Sequence, residues 1–384
     1  MRLLIYGGTF NPPHLGHADA LRCAAEELRA DRVLVIPAGI PPHKALAEGS
    51  PSPEERLTLC SLAFPGTEVS PMELRREGKS YTADTLREIS AAAPDAELYF
   101  LVGTDMLLYM EEWHDFREVF SLCTLTALPR DTGDMAELER YAAYLRETYG
   151  ARILVLPKAP LPMDSTSLRA ALPQRGGADK LSDAVYSEII RRRLYDAKPD
   201  LTWLREKTDV YLKPTRIPHV RGCEKTAAEL ARRWGENPED AAEAGILHDI
   251  TKRLSADEQL RLVEKYGIVL DAYERAAPLI LHARTGAWFA REHFGVPDNI
   301  FSAIEWHTTG CPGMTTLDKI VYLADFIEPT RSFPGVERVR SLAFEDLDAA
   351  MIEALQMSID NVRRRGFQPH PRSEKTLRWL QTQN

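Results

Sequence analysis

Short apolar runs alternate with stretches of helical periodicity over the first half of the chain. Residues 3–6, 33–36, 98–102, 122–127 and 153–156 read as strands, and the helical patterns between them predict a parallel sheet with crossover helices on both faces. Past residue 200 the strand runs stop. Apolar positions then recur with helical spacing over 225–234, 238–247, 256–266 and 347–365, which predicts an all-α region. The join falls at Ala197-Lys198-Pro199-Asp200, where a proline behind a basic helix end stops the preceding helix. The expected organisation is therefore an α/β domain over 1–196, a short join over 197–200 and an all-α domain over 201–384. Residues 173–177 (Pro-Gln-Arg-Gly-Gly) read as a surface loop.

Length and composition fit two cores, since 384 residues with 44% hydrophobic positions exceed what one core supports. A net charge of −9 opposes sequence-independent nucleic-acid binding, which needs a basic face. The triplets Arg191-Arg192-Arg193 and Arg363-Arg364-Arg365 read as solvated helix ends. Cys23, Cys60, Cys123, Cys223 and Cys311 are odd in number, scattered and without a C-x-x-C pair, as expected of reduced thiols in the cytoplasm. No apolar run reaches the ~18 residues that suggest a membrane span, and the N-terminal run is too short for a secretion signal. Neither a nucleic acid nor a membrane is an expected partner.

Chemistry concentrates at two places. The first strand runs into Gly7-Gly8-Thr9-Phe10-Asn11-Pro12-Pro13-His14-Leu15-Gly16-His17, and residues 18–30 then read as a helix. A glycine turn at the carboxyl edge of a sheet lets backbone N–H groups approach an anion, and the helix dipole favours phosphate. His14 and His17, three apart at a helix start, can face the same phosphates. There is no G-x-G-x-x-G and no Gly-Lys-Ser/Thr, so dinucleotide-fold hydride transfer and P-loop chemistry lose their main support.

This segment resembles the T/H-x-G-H nucleotidyltransferases, and further stretches are similar to nicotinate-nucleotide adenylyltransferases. They are residues 36–44 (Ile-Pro-Ala-Gly-Ile-Pro-Pro-His-Lys), Ser80-Tyr81-Thr82-Ala83-Asp84-Thr85-Leu86, Gly103-Thr104-Asp105 and Ser165-Thr166-Ser167-Leu168-Arg169. The resemblance implies a Rossmann-like nucleotidyltransferase fold and transfer of AMP from ATP, with Mg²⁺, to nicotinate mononucleotide. It implies that His14, His17, Lys44 and Arg169 supply charge at the phosphates. Gly7, Gly8, Thr9, Phe10, Gly103, Asp105, Ser165 and Thr166 would hold ATP, and Tyr81, Thr82 and Trp113 the mononucleotide, with Trp113 stacked on the pyridine ring. Core packing is the alternative for Trp113. The chain departs from the family in having His114 where tyrosine is usual, and Met163-Asp164 where Ile-Ser is usual. A related transferase acting on pantetheine phosphate is the other reading.

The second half carries His219, His248-Asp249, His282, His307 and Asp325 in helical surroundings. Imidazoles suit iron, manganese or zinc, one carboxylate can bridge two ions, and six donors are too many for one site and right for two. The order resembles the HD-domain phosphohydrolases. His248-Asp249-Ile250-Thr251-Lys252, Glu305-Trp306-His307-Thr308-Thr309-Gly310 and Ala324-Asp325-Phe326-Ile327-Glu328-Pro329 are similar to bacterial HD proteins that cleave diadenosine tetraphosphate symmetrically. The resemblance implies two iron ions, with manganese or zinc as alternatives, and attack by a metal-bridging hydroxide that yields two ADP. Asp249 and Lys252 would act in that reaction, Lys252 reaching the phosphates one turn beyond His248, with Thr308 and Arg331 as weaker candidates. Another nucleotide phosphatase, a guanosine tetraphosphate hydrolase or a nucleotide-sensing module are the alternatives.

Overall fold

A computed structural model describes residues 1–41, 46–130 and 133–383. The chain divides into two compact units, Met1–Lys198 and Pro199–Asn384.

The first unit is built on a six-stranded sheet of β1 (Arg2–Gly8), β2 (Arg32–Pro37), β3 (Glu68–Val69), β4 (Glu97–Gly103), β5 (Thr124–Leu128) and β6 (Ile153–Val155). The strand order is β3-β2-β1-β4-β5-β6, with every pairing parallel. Sequential order reverses between β1 and β4, which opens a crevice beyond their carboxyl ends where such sheets bind ligands. Leu4 and Ile5 of β1 and Val35 and Ile36 of β2 are at most 1% exposed; helices on both faces leave nothing to alternate, hence the continuous apolar runs. β5 begins two residues later than the apolar run at 122 suggests. Residues Phe116–Leu122 form a helix that buries Val119 and Phe120, so the apolar run crosses an element boundary. The two-residue β3 had no apolar run to announce it. The 173–177 stretch is no surface loop, because Arg175 is buried and Gly177 packs against Leu168.

Among the described residues, the second unit is helical throughout. Helices Pro238–Leu247 and Ala256–Tyr266 take the bounds read from the sequence, because their ends carry strong signals: Pro238 at N1 behind the capping Asn237, and a Ser255/Glu258 capping box. The 225–234 pattern is the second half of a longer helix, Ile217–Trp234. Its apolar face, including Ala227 and Leu230, joins Ile246, Leu247, Ile304, Ile320 and Leu323 in one core. Among the described residues no helix is long and apolar enough to cross a membrane.

Candidate active sites

At the carboxyl end of β1 the chain turns into helix Leu15–Leu28, which starts earlier than the 18–30 pattern because His14 caps it. The cap is reciprocal. The His17 N–H donates to His14 Nδ1 (3.3 Å) and the His14 N–H donates to His17 Nδ1 (3.2 Å), and the rings stack at 3.7 Å between centroids. Because each Nδ1 accepts a hydrogen bond, each neutral ring must carry its proton on Nε2, where it is a donor. Burial lowers the His14 pKa to about 4; burial and then the neighbouring His14 hold His17 well below the ordinary value. Burial thus favours the neutral ring at both positions in the free protein, where each donates through Nε2.

Two clefts meet at this turn. One, of about 380 Å³, is lined by Gly7, Gly8, Thr9, Phe10 and His17 together with Tyr81, Thr82, Gly103, Trp113 and His114. The other, of about 300 Å³, shares Thr9, Phe10 and His17 and adds Asp164, Ser165, Thr166 and Arg169. The Phe10 ring packs beneath the loop against Tyr6, Phe64 and His17, and a Cβ at Gly8 would come within 2.9 Å of it, so only glycine lets the loop close over that ring. Arg169 donates to Asn11 O (2.6 Å) and Ser165 Oγ to Pro12 O (3.1 Å), which ties the second cleft's wall to the turn. The His114 and Tyr81 rings lie 4.3 Å apart, tilted by 37°, and Trp113 is only 9% exposed, edge-on to Phe100, so it serves both the cleft and the core. Asp164 caps helix Ser165–Ala171 through the Ser167 N–H (2.8 Å). Asp105 is set apart from this group: its side chain is exposed and pairs with Arg130 at 3.2 Å. Lys44 lies outside the described residues.

Arg56 escaped the sequence reading, since an arginine after Glu54-Glu55 looks like a solvated helix face. It is 1% exposed and donates to Ala38 O (2.6 Å), Gly39 O (3.2 Å) and Thr9 O (3.3 Å), fastening the loops after β1 and β2 to each other.

In the second unit the six expected donors converge. His219 Nε2 lies 3.3 Å from His248 Nε2 and 3.1 Å from Asp325 Oδ1. Asp249 is 1% exposed, with Oδ2 near His248 (3.4 Å) and His219 (3.8 Å), and Oδ1 near His282 (3.4 Å) and His307 (3.7 Å). Each carboxylate oxygen thus faces its own pair of imidazoles, as a bridging ligand would. His248, His282 and His307 each donate Nδ1–H to the carbonyl three residues back, Gly245, Leu279 and Ile304, at 2.7, 3.0 and 2.7 Å. His219 instead donates to Glu328 Oε1 at 2.9 Å. Burial works to raise the Glu328 carboxyl, but Thr330 and His219 hold it below its ordinary value, so it accepts as an anion. All four imidazoles therefore turn an Nε2 lone pair toward the Asp249 carboxylate, the tautomer a metal requires.

The donors suit a divalent metal, and two buried atoms make the case: Asp249 Oδ1 and His307 Nε2 have no hydrogen-bond partner. Lys252 Nζ stands 2.9 Å from His282 Nε2, and Arg331 donates to Asp325 Oδ1 at 2.5 Å. Thr308 is half-buried beside His307. Two residues went unrecognised. Arg216 donates through Nε to Asp249 Oδ2 (2.6 Å), and nothing marked it among 48 lysines and arginines. Glu328 is fully buried, and a Cβ at Gly222 would collide with its carboxylate, so that glycine makes room for it; a carboxylate three residues after Asp325 was the available signal.

Comparison with known proteins divides at the same place. A cytidylyltransferase-like family model matches residues 5–170 and an HD domain model residues 216–330. A Synechococcus sp. (strain JA-3-3Ab) protein named "Probable nicotinate-nucleotide adenylyltransferase" is 38% identical, covering 50% of this chain and 94% of that one. The "Bis(5'-nucleosyl)-tetraphosphatase, symmetrical" of Bacillus subtilis (strain 168) is 36% identical, over 43% of this chain and 89% of its own length. That of Halalkalibacterium halodurans is 40% identical over 39% and 80%. The chain is a fusion of two enzymes, belonging through its first unit to the nicotinate-nucleotide adenylyltransferase family and through its second to the HD-domain symmetrical bis(5'-nucleosyl)-tetraphosphatase family.

Proposed function

We propose that the first unit transfers AMP from ATP to nicotinate mononucleotide, releasing pyrophosphate, and that the second cleaves diadenosine tetraphosphate symmetrically to two ADP at a centre of two divalent ions. For the first reaction, a phosphate oxygen of the mononucleotide attacks the α-phosphorus in line as the bond to the β-phosphate oxygen breaks. No covalent enzyme intermediate is needed, so catalysis rests on orientation and on charge neutralisation. The cleft with Tyr81, Thr82 and Trp113 would take the mononucleotide, and the cleft with Ser165, Thr166 and Arg169 would take ATP. His17 lines both, which supports a role for its Nε2–H as a donor where the phosphates of the two substrates would meet.

For the second reaction, His219, His248, Asp249, His282, His307 and Asp325 would hold the ions. Ions bound there would supply Lewis acidity for water activation and would neutralise the leaving phosphate. Lys252, Arg216 and Arg331 stand beside the donors and would receive the polyphosphate, each kept in place by a donor residue. The convergence of four Nε2 lone pairs on one buried carboxylate, whose Oδ1 and the His307 Nε2 beside it lack any partner, carries this reading.

The experiment is chromatographic product analysis with full-length, anaerobically purified, Fe²⁺-loaded protein. With diadenosine tetraphosphate, ADP alone is expected; AMP with ATP, or no turnover with metal bound, would contradict the assignment. In the same preparation ATP and nicotinate mononucleotide should give the dinucleotide and pyrophosphate.

A further inference from the structure

Cys223 stands one helical turn beyond His219 on Ile217–Trp234 and is 1% exposed. Its Sγ lies 3.3 Å from His219 Nε2. One ligand atom from each of His219, Cys223, His248 and Asp325 falls in a group whose members all lie within 4.8 Å of one another. The edges measured from His219 Nε2 are 3.3 Å to His248, 3.1 Å to Asp325 and 3.3 Å to Cys223. A metal ion with arms of about 2.0–2.3 Å sets adjacent donors roughly 3 Å or slightly more apart, so all three edges are near the spacing of a shared coordination sphere.

Resting on the reading of this cluster as a metal centre, we propose that Cys223 is a thiolate ligand of the ion held by His219, His248, Asp249 and Asp325, making that half of the centre a sulfur-containing site. Binding forms the S–metal bond and releases the thiol proton to solvent; no electron moves. The two halves then differ in softness. The half facing His282 and His307 offers imidazole and carboxylate, whereas the half at His219 adds a soft donor that favours zinc, cobalt and iron(II) over manganese and magnesium. The centre becomes chemically asymmetric, with one ion held by sulfur and the other exchanging more freely among harder metals.

The test uses full-length protein stripped by chelation and loaded with Co²⁺ without oxygen. A thiolate-to-cobalt charge-transfer band in the near ultraviolet is expected in the wild type and lost in Cys223→Ser at unchanged cobalt stoichiometry. In the same variant, competition between zinc and manganese should shift at least about tenfold toward manganese. An identical spectrum in wild type and variant, or no such band with cobalt bound, overturns the thiolate ligand and leaves the metal centre standing. Failure to bind cobalt at all overturns both. Should Cys223→Ser not fold, X-ray absorption of the zinc-loaded wild type decides. A sulfur neighbour at about 2.3 Å supports the ligand, and a shell of nitrogen and oxygen alone removes it.

Discussion

Histidine serves both sites in this chain, and the two sites treat the ring in opposite ways. In the first unit the backbone N–H groups of a helix start donate to the Nδ1 atoms of His14 and His17, so the Nε2 atoms carry protons. In the second unit backbone carbonyls and Glu328 accept from Nδ1, so the Nε2 atoms carry lone pairs. A ring whose proton faces the ligand suits phosphate, and a ring whose lone pair faces it suits a cation. The group on the far side of each imidazole therefore decides which chemistry the near side can do. Helix polarity supplies that group: His14 precedes a helix, where N–H groups are unpaired, while His248 and His307 follow helices, where carbonyls are.

Reciprocal loss would break the comparison most sharply. Asp249→Ala should remove both bound metal and hydrolysis to below detection, since it deletes the carboxylate between the two imidazole pairs, and leave dinucleotide synthesis unchanged. His17→Ala should lower dinucleotide synthesis by about 10²–10³-fold, the usual cost of one donor at a developing anion, and leave hydrolysis unchanged. Metal analysis and both assays on each variant check this, and loss of both activities from either would deny that the sites are independent.

A smaller effect is expected at Glu328→Gln, where the amide no longer fixes the His219 tautomer by charge. Metal affinity should fall about 10–100-fold by competition titration, with dinucleotide synthesis untouched. An unchanged affinity would mean that His219 needs no carboxylate behind it.

The smallest effect concerns pH. The His14 pKa is lowered by burial from 6.5 to about 4. Between those values the unfolded chain binds more protons at this residue than the folded one, so stability falls as pH drops from about 6.5 toward 4. The loss at this residue is at most roughly 3–4 kcal/mol. His14→Asn keeps a good helix cap without a titrating ring and should flatten that slope. The denaturant midpoint of the first unit, read from its own peptides by amide exchange, measures it; a variant as acid-sensitive as the wild type would place the titration elsewhere.

Much of this was open to reading from the residues alone. Buried parallel strands announced themselves as unbroken apolar runs, and helices with a proline or a capping box came with their ends marked. The six residues proposed as metal donors were visible because histidine is scarce and their spacing is recognisable. Arg56, Arg216, Glu328 and Cys223 were not legible in their roles, because each is a common residue type whose function comes from what the fold lays against it. The electrostatics of the rings were hidden for the same reason: the sequence suggests phosphate contacts for His14 and His17 but gives no sign that burial opposes their charge.

The most direct measurement is the ¹⁵N–¹H correlation spectrum of histidine ring nitrogens in full-length protein loaded with zinc, which is diamagnetic. His14 and His17 should show the Nε2–H tautomer, and His219, His248, His282 and His307 the Nδ1–H tautomer with Nε2 on the metal. Nδ1–H at His14 or His17, or Nε2–H at any of the four in the second unit, would contradict the assignment of donors to one site and lone pairs to the other.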